Sequence, residues 1–393
     1  MKASKMLGME VLMQDMQRPA DIAAHMGDDY DRYLGAIVPP IFQNTLFTRK
    51  REQHGYSYTR INNPTIEILE KKLAALENAP AARVFASGIA AITATLSSLL
   101  QAGDHVLCLK SAYYPVISFL DTEMKKYGVE VTYLESFSSE EIEQNVRPNT
   151  KVFYLESPSS NIFKVLPLRE IAKRAHECKA VAVIDNTWST PLYQKPLELG
   201  FDYSIHSATK YLGGHSDVLG GVVLGSEEKL NALRNGQRSF WGACMDPFAA
   251  WLLIRSLRTL EVRMARHGES ALKVAKFLES HPRVKKVFYP GLESDEGHEI
   301  AKSQMTGYSG LLSFVPDGDN EAILHMMKST QVFEEGPSWG GFESIFNTPG
   351  LSDNMEMLEF QGIPTGLVRI SIGLEDADTI IKDLDRALSA MPE

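Results

Sequence analysis

Cysteine is scarce in this chain: three residues in 393, at Cys108, Cys178 and Cys244. An odd number of widely spaced cysteines gives neither a disulfide framework nor a CxxC metal pair, and points to a reducing cytoplasm. Positive charge is in deficit too. Forty Lys and Arg against 50 Asp and Glu leave a net charge of −10 with no long basic run. That argues against nucleic acid or an anionic membrane as partner. No internal repeat and no His-x-x-x-His pair occur, and Gly and Pro are at ordinary levels, which excludes collagen-like and low-complexity chains. Near the N-terminus, Lys2, Lys5, Glu10 and Asp15 interrupt any signal-peptide apolar region.

One long uncharged run needs its own reading. Val84 to Gly103 has the length of a membrane span, yet it carries Ser87, Thr93, Thr95, Ser97, Ser98 and Gln101 and ends in a Gly-Asp turn. It reads as a buried small-residue helix. With 44% hydrophobic and 23% charged residues, the chain is a soluble globular protein long enough for two to three domains.

Residues 1–60 are mixed and Pro-punctuated, and read as an arm. In residues 61–250, helix-like segments (ILEKKLAALEN, GIAAITATLSSLL, VISFLDTEMKKYG, PLREIAKRAHEC) alternate with short apolar runs (HVLCL, VEVTYL, KVFYLES, AVAVIDN, GGVVLG). Runs that are short, β-branched and apolar on both faces are expected of buried parallel strands, so the segment reads as an α/β unit with a mostly parallel sheet covered by helices. A long helical stretch, roughly Phe248 to Leu278, leads into a smaller α+β unit over 251–393.

Open parallel sheets bind ligands beyond the carboxyl ends of their strands, so the residues after each apolar run matter most. After VFA, the Ser87-Gly88-Ile89 turn opens a helix whose free N–H groups suit an anion, although a glycine before a helix is also an ordinary turn. Asp185 ends a four-residue apolar run. It is either a structural salt bridge or cap, or a charge held against a cationic ligand atom such as a protonated ring nitrogen. Ser207 and Thr209 present hydroxyls on one side of an extended chain. Lys210 lies beside them, before a glycine-rich turn; a desolvated lysine can link to an aldehyde. Phosphate donors, an anchoring carboxylate and an amine together are what a pyridoxal 5'-phosphate site requires.

The run SATKYLGGHSD (207–217) resembles the cofactor-lysine signature of the Cys/Met-metabolism (trans-sulfuration) family of fold type I pyridoxal-phosphate enzymes. YTRINNP (58–64), ESP (156–158), IDNT (184–187) and VRISIGLED (368–376) match the same family in order, so the likeness spans about residues 35–390. The resemblance implies that Lys210 carries the cofactor and shuttles protons, and that Asp185 pairs with the pyridine nitrogen. It implies that Gly88, Ile89, Ser207 and Thr209 hold the phosphate, Tyr113 stacks on the ring and Arg369 clamps the substrate carboxylate. Tyr58 and Arg60 would reach the phosphate of a neighbouring subunit, in a homotetramer built as a dimer of dimers with shared active sites.

Ser338-Trp339-Gly340-Gly341-Phe342-Glu343-Ser344 resembles a segment of bacterial cystathionine β-lyases; γ-type enzymes usually have Leu at the Trp339 position. Ser160 stands where γ-type members carry Asn after Glu-Ser-Pro, while Pro337 departs from the polar residue common there. The reading implied is a carbon–sulfur lyase that releases homocysteine, pyruvate and ammonia from L-cystathionine, serving methionine biosynthesis, with Ser338, Trp339 and Tyr58 near the substrate. The alternatives are γ-type trans-sulfuration enzymes, a cysteine or cystine lyase, a cofactor-dead relative, and a metal hydrolase built on Asp185, His206, His215 and Asp217. Trp188 and Trp251 read as core or interface, and Met9, Met13 and Met16 as an arm packing on a neighbouring subunit.

Overall fold

The computed structural model describes residues 18–48, 50 and 55–392. They fold around two sheets. The larger contains β1 (Ala81–Phe85), β2 (His105–Leu109), β3 (Glu130–Leu134), β4 (Thr150–Glu156), β5 (Val181–Asp185), β6 (Tyr203–Ser207) and β7 (Gly221–Gly225), in the order β1-β7-β6-β5-β4-β2-β3. The smaller contains β8 (Val284–Phe288), β9 (Leu311–Pro316), β10 (Glu334–Glu335), β11 (Ile345–Asn347) and β12 (Val368–Ser371), in the order β10-β11-β12-β9-β8.

All strand pairs of the larger sheet are parallel except those of β7, which runs antiparallel to both β1 and β6. GGVVLG therefore departs from the parallel expectation. The loop from Ala208 to Gly220 holds no crossover helix, and without one the chain can only turn back on itself. β3 departs in burial: it is one of the two edge strands and is largely part-exposed, whereas β1 at the other edge is buried. Apolar side chains cover both faces of the central strands. One cluster includes Val106, Phe153, Val183 and Ile205, and another joins Val84, Val222 and Leu224 to Leu69 and Leu73 of the Pro64–Glu77 helix. Helix ends follow local chemistry: Asn63 accepts from Thr65 N ahead of Pro64, and Asn78 closes that helix in the left-handed region at φ +57°.

The uncharged run from Val84 divides between β1, a turn and the Gly88–Leu99 helix. Among the described residues no helix is long and apolar enough to cross a membrane. The long helical stretch is interrupted, giving helices Pro247–Leu257 and Leu260–Ser280. The Ser256 carbonyl at the break accepts from Thr259 N (3.1 Å), Thr259 Oγ1 (3.2 Å) and Arg263 Nη2 (3.0 Å), so side chains replace the helix ladder there. Trp188 is core: its indole N–H donates to Leu311 O of the smaller sheet at 3.1 Å. Trp251 is half-buried and donates to Pro39 O. Met9, Met13 and Met16 lie outside the described residues.

Candidate active site

Because β1, β2, β4, β5 and β6 point the same way, their carboxyl ends share one edge of the sheet. A cavity of about 230 Å³ opens there, lined by Gly88 and Ile89 after β1, Tyr113 after β2, Glu156 and Ser160 at β4, Asp185 and Thr187 at β5, and Ser207, Thr209 and Lys210 at β6. The smaller sheet closes the cavity with Arg369 of β12 and with Pro337 and Trp339 from the loop between β10 and β11.

Ser87 caps the Gly88–Leu99 helix by accepting from Ala90 N. Gly88 and Ile89, as the first helical residues, keep N–H groups that no helical carbonyl can satisfy. A Cβ at residue 88 would lie 2.7 Å from both Cβ and Oγ of Ser207, so only glycine lets the helix end and β6 meet. The result is an anion cradle of backbone N–H groups and the Ser207 hydroxyl. Thr209 contributes less freely, because its hydroxyl is shared with Gly220 N and O.

Asp185 is buried. Its Oδ1 accepts from Thr187 N at 2.9 Å and from the Thr187 hydroxyl, which in turn accepts from Ser207 N at 2.8 Å. Among the described residues Oδ2 takes no hydrogen bond, which leaves it for a donor inside the cavity. Burial raises the Asp185 pKa, opposed by the Thr187 bonds. Its register partner is Glu156, also buried, which is pushed up to about 8 by burial and by Asp185 itself. Two carboxylates this close cannot both ionise cheaply, and the proton falls to Glu156 because Asp185 has Thr187 and Lys210 to stabilise its charge. Glu156 accepts from Tyr113 N at 2.5 Å and from the Ser160 hydroxyl.

Lys210 Nζ donates to Ser338 Oγ at 2.9 Å and lies 5.4 Å over the Trp339 ring. Desolvation, then the Arg369 charge, lowers its pKa to about 8. Arg369 is buried, and among the described residues no carboxylate is in hydrogen-bond contact with it. It donates to Pro337 O at 2.9 Å and to Ser160 O and Asn161 Oδ1 at 3.4 Å, and burial lowers it to about 10. Arg369 reaches the cavity from β12, and two residues further along that strand Ser371 Oγ accepts from Gly340 N at 3.1 Å. Tyr113 is half-exposed at the rim, its phenol raised by burial and by Asp185.

The structure does not bring Tyr58 and Arg60 into this cavity. They line a separate hollow with Gln43, Asn44, Thr45, Asp246 and Pro247, Arg60 donating to Ser239 O at 3.4 Å. Nor do the metal-hydrolase residues converge. His206 Nε2 is bonded to Glu77 Oε2 at 2.6 Å, His215 Nδ1 to Gly213 O at 2.7 Å, and the described residues hold no metal-ligating cluster. Glu156 and Thr187 are the site residues that sequence reasoning left without a role. Glu156 belongs to the strand-end ESP motif, but its partnership with Asp185 arises only from the β4–β5 register.

Comparison with known proteins shows which family the chain belongs to. The family model for Cys/Met metabolism PLP-dependent enzymes matches residues 20–389. The chain belongs to this family. It is 38% identical over 382 residues to an L-methionine gamma-lyase of Fusobacterium nucleatum, covering 93% of this chain and 96% of that one. It is 38% identical over 371 residues to a cystathionine gamma-lyase of Bacillus subtilis (93% and 97%) and 37% identical over 370 residues to a cystathionine beta-lyase of Lactococcus lactis (93% and 97%). The crystal structure of metB from Corynebacterium glutamicum superposes with a TM-score of 0.91 at 36% identity, covering 95% of this chain and 98% of that one. The enzyme is thus a PLP-dependent lyase of the trans-sulfuration class with an α/β fold of type I. The residues present fit the cofactor. The Gly88 cradle is shaped for an anion, Asp185 keeps an open oxygen for a cationic nitrogen, and Lys210 supplies an amine. Relatives matching the same span carry both β- and γ-lyase names, so the family fixes the cofactor and the bond type, while the carbon attacked depends on local detail.

Proposed function

We propose that the enzyme cleaves L-cystathionine by β-elimination, releasing homocysteine, pyruvate and ammonia. The observation that carries this reading is the confinement of Lys210 between Ser338 Oγ and the Trp339 ring. Elimination at Cβ asks the base to reach one carbon, Cα; elimination at Cγ asks it to reach Cβ as well. Trp339 packs edge-on to buried Tyr211 at 5.3 Å, and Tyr211 is pinned by Gly310 N at 2.8 Å, so the indole is a fixed wall beside the amine. The likeness of residues 338–344 to bacterial cystathionine β-lyases, and Ser160 in place of the γ-type Asn, support the same reading.

Bound in the cavity, PLP supplies an aldehyde that links to amines and a protonated ring that withdraws electrons from the attached carbon skeleton. Lys210, Asp185, Gly88, Ile89, Ser207 and Thr209 would hold it, and Tyr113 would cover one face. Arg369 meets the substrate carboxylate with a planar pair of donors. Lys210, with its pKa lowered by desolvation, is neutral often enough near neutral pH to take the Cα proton. Ser338 holds its Nζ on that side of the cavity.

Tyr58 and Arg60 would serve a second copy, in the proposed homotetramer. Their hollow is open, and Ile37, Leu46, Phe240 and Trp241 are exposed apolar side chains that a neighbouring subunit would cover. The three free cysteines agree with a cytoplasmic setting. The test is hydrogen exchange on L-alanine, which has no leaving group, in deuterated water. Exchange at Cα without exchange at Cβ supports β-elimination; exchange at both carbons supports the γ-type reading that the L-methionine gamma-lyase relatives raise.

A further inference from the structure

Arg369 is a buried cation with no anionic hydrogen-bond partner among the described residues, and the acid nearest to it in effect is Glu156, which the mechanism above leaves unused. The two are joined through Ser160. The Ser160 hydroxyl donates to Glu156 Oε1 while its carbonyl accepts from Arg369 Nη1. Glu156 is also the register partner of Asp185, so one side of it faces a second buried carboxylate and the other faces the arginine. The remaining groups around it are Tyr113 after β2, Cys108 on β2, Tyr154 on its own strand, and Lys210 beyond β6 acting on Asp185.

We propose that Glu156 is a proton-linked positioning residue for substrate recognition: in the alkaline range where it is ionised in the empty site, it balances Arg369, and there it takes up one proton from solvent when a substrate carboxylate occupies that arginine. The proton balance is simple. A ligand carboxylate brings one negative charge to a pocket wall that already holds Glu156 and Asp185, and one proton on Glu156 restores the count against Arg369 and Lys210. Binding and protonation then favour each other, and by linkage each must shift the other equally. The direction matches the burial that pushes Glu156 up to about 8. This inference rests on the reading of Arg369 as the carboxylate clamp.

The test is the affinity of the holoenzyme for propionate, a carboxylate with no amine to react, followed by the absorbance of the bound cofactor as pH varies. In the wild type, propionate should weaken as pH rises above about 8, by up to about tenfold per pH unit. In Glu156→Gln, which keeps the shape and no titrating proton, the affinity should stay within about twofold over the same range. An equal pH slope in both proteins overturns the proposal. Arg369→Lys separates the two claims: propionate bound as well as in the wild type overturns the clamp and the inference together, while weakened binding leaves Glu156 to be judged by its own variant. Should Glu156→Gln fail to fold, an infrared difference spectrum of the wild type at about pH 9, where the empty site has lost that proton, decides. A protonated-carboxyl band gained on adding propionate supports the proposal, and no such band overturns it.

Discussion

Lys210 Nζ donates to Ser338 Oγ at 2.9 Å, a bond that ties the loop beyond β6 to the smaller sheet. It fixes where the amine stands, and its loss should be felt in the chemical step more than in binding. Ser338→Ala should lower kcat about tenfold and change KM by less than about twofold. Steady-state kinetics on L-cystathionine checks this; an unchanged kcat would show that the bond does not position the amine.

Lys210→Met should abolish the bound chromophore and reduce turnover at least about a thousandfold. The same change should stabilise the apoprotein. Desolvation depresses the Lys210 pKa from 10.5 to about 8, so at neutral pH the folded chain carries a proton at a cost the unfolded chain does not bear. From about pH 8 to 10.5 the unfolded state binds more protons, and that cost fades as pH rises. Urea unfolding of apoprotein should find the variant more stable at pH 7, by on the order of 2 kcal/mol, with the advantage lost towards pH ~10.5.

Gly88→Ala should leave the protein folded and cost at least about tenfold in cofactor affinity, because the new Cβ meets Ser207 at 2.7 Å and must push the helix end away from β6. Titration of apoprotein with PLP, followed by absorbance, measures it.

Arg369→Leu should raise KM for L-cystathionine by about a hundredfold or more, since a buried charged partner typically contributes several kcal/mol to binding a carboxylate. Cofactor affinity should hardly change, because the Asp185, Lys210 and Gly88 contacts remain. A loss of cofactor instead of substrate affinity would move Arg369 to a different role.

Much of this site was legible in the sequence because parallel strands deliver ligands to their carboxyl ends, and Gly88, Asp185, Ser207 and Lys210 each follow an apolar run. The direction of β7 was not legible, since a buried strand looks the same in either orientation. The break near Thr259 was missed because it depends on Arg263 reaching back to the Ser256 carbonyl. Glu156 went without a role for a related reason. Its meaning lies in the β4–β5 register that sets it beside Asp185, and in Ser160 linking it to Arg369, 209 positions further on from residue 160.

Product identification with L-cystathionine tests the central claim most directly. Pyruvate with homocysteine is the result expected from a Lys210 confined by Trp339 to a single carbon. Cysteine with 2-oxobutyrate would contradict it and place the enzyme among the γ-eliminating members of its family.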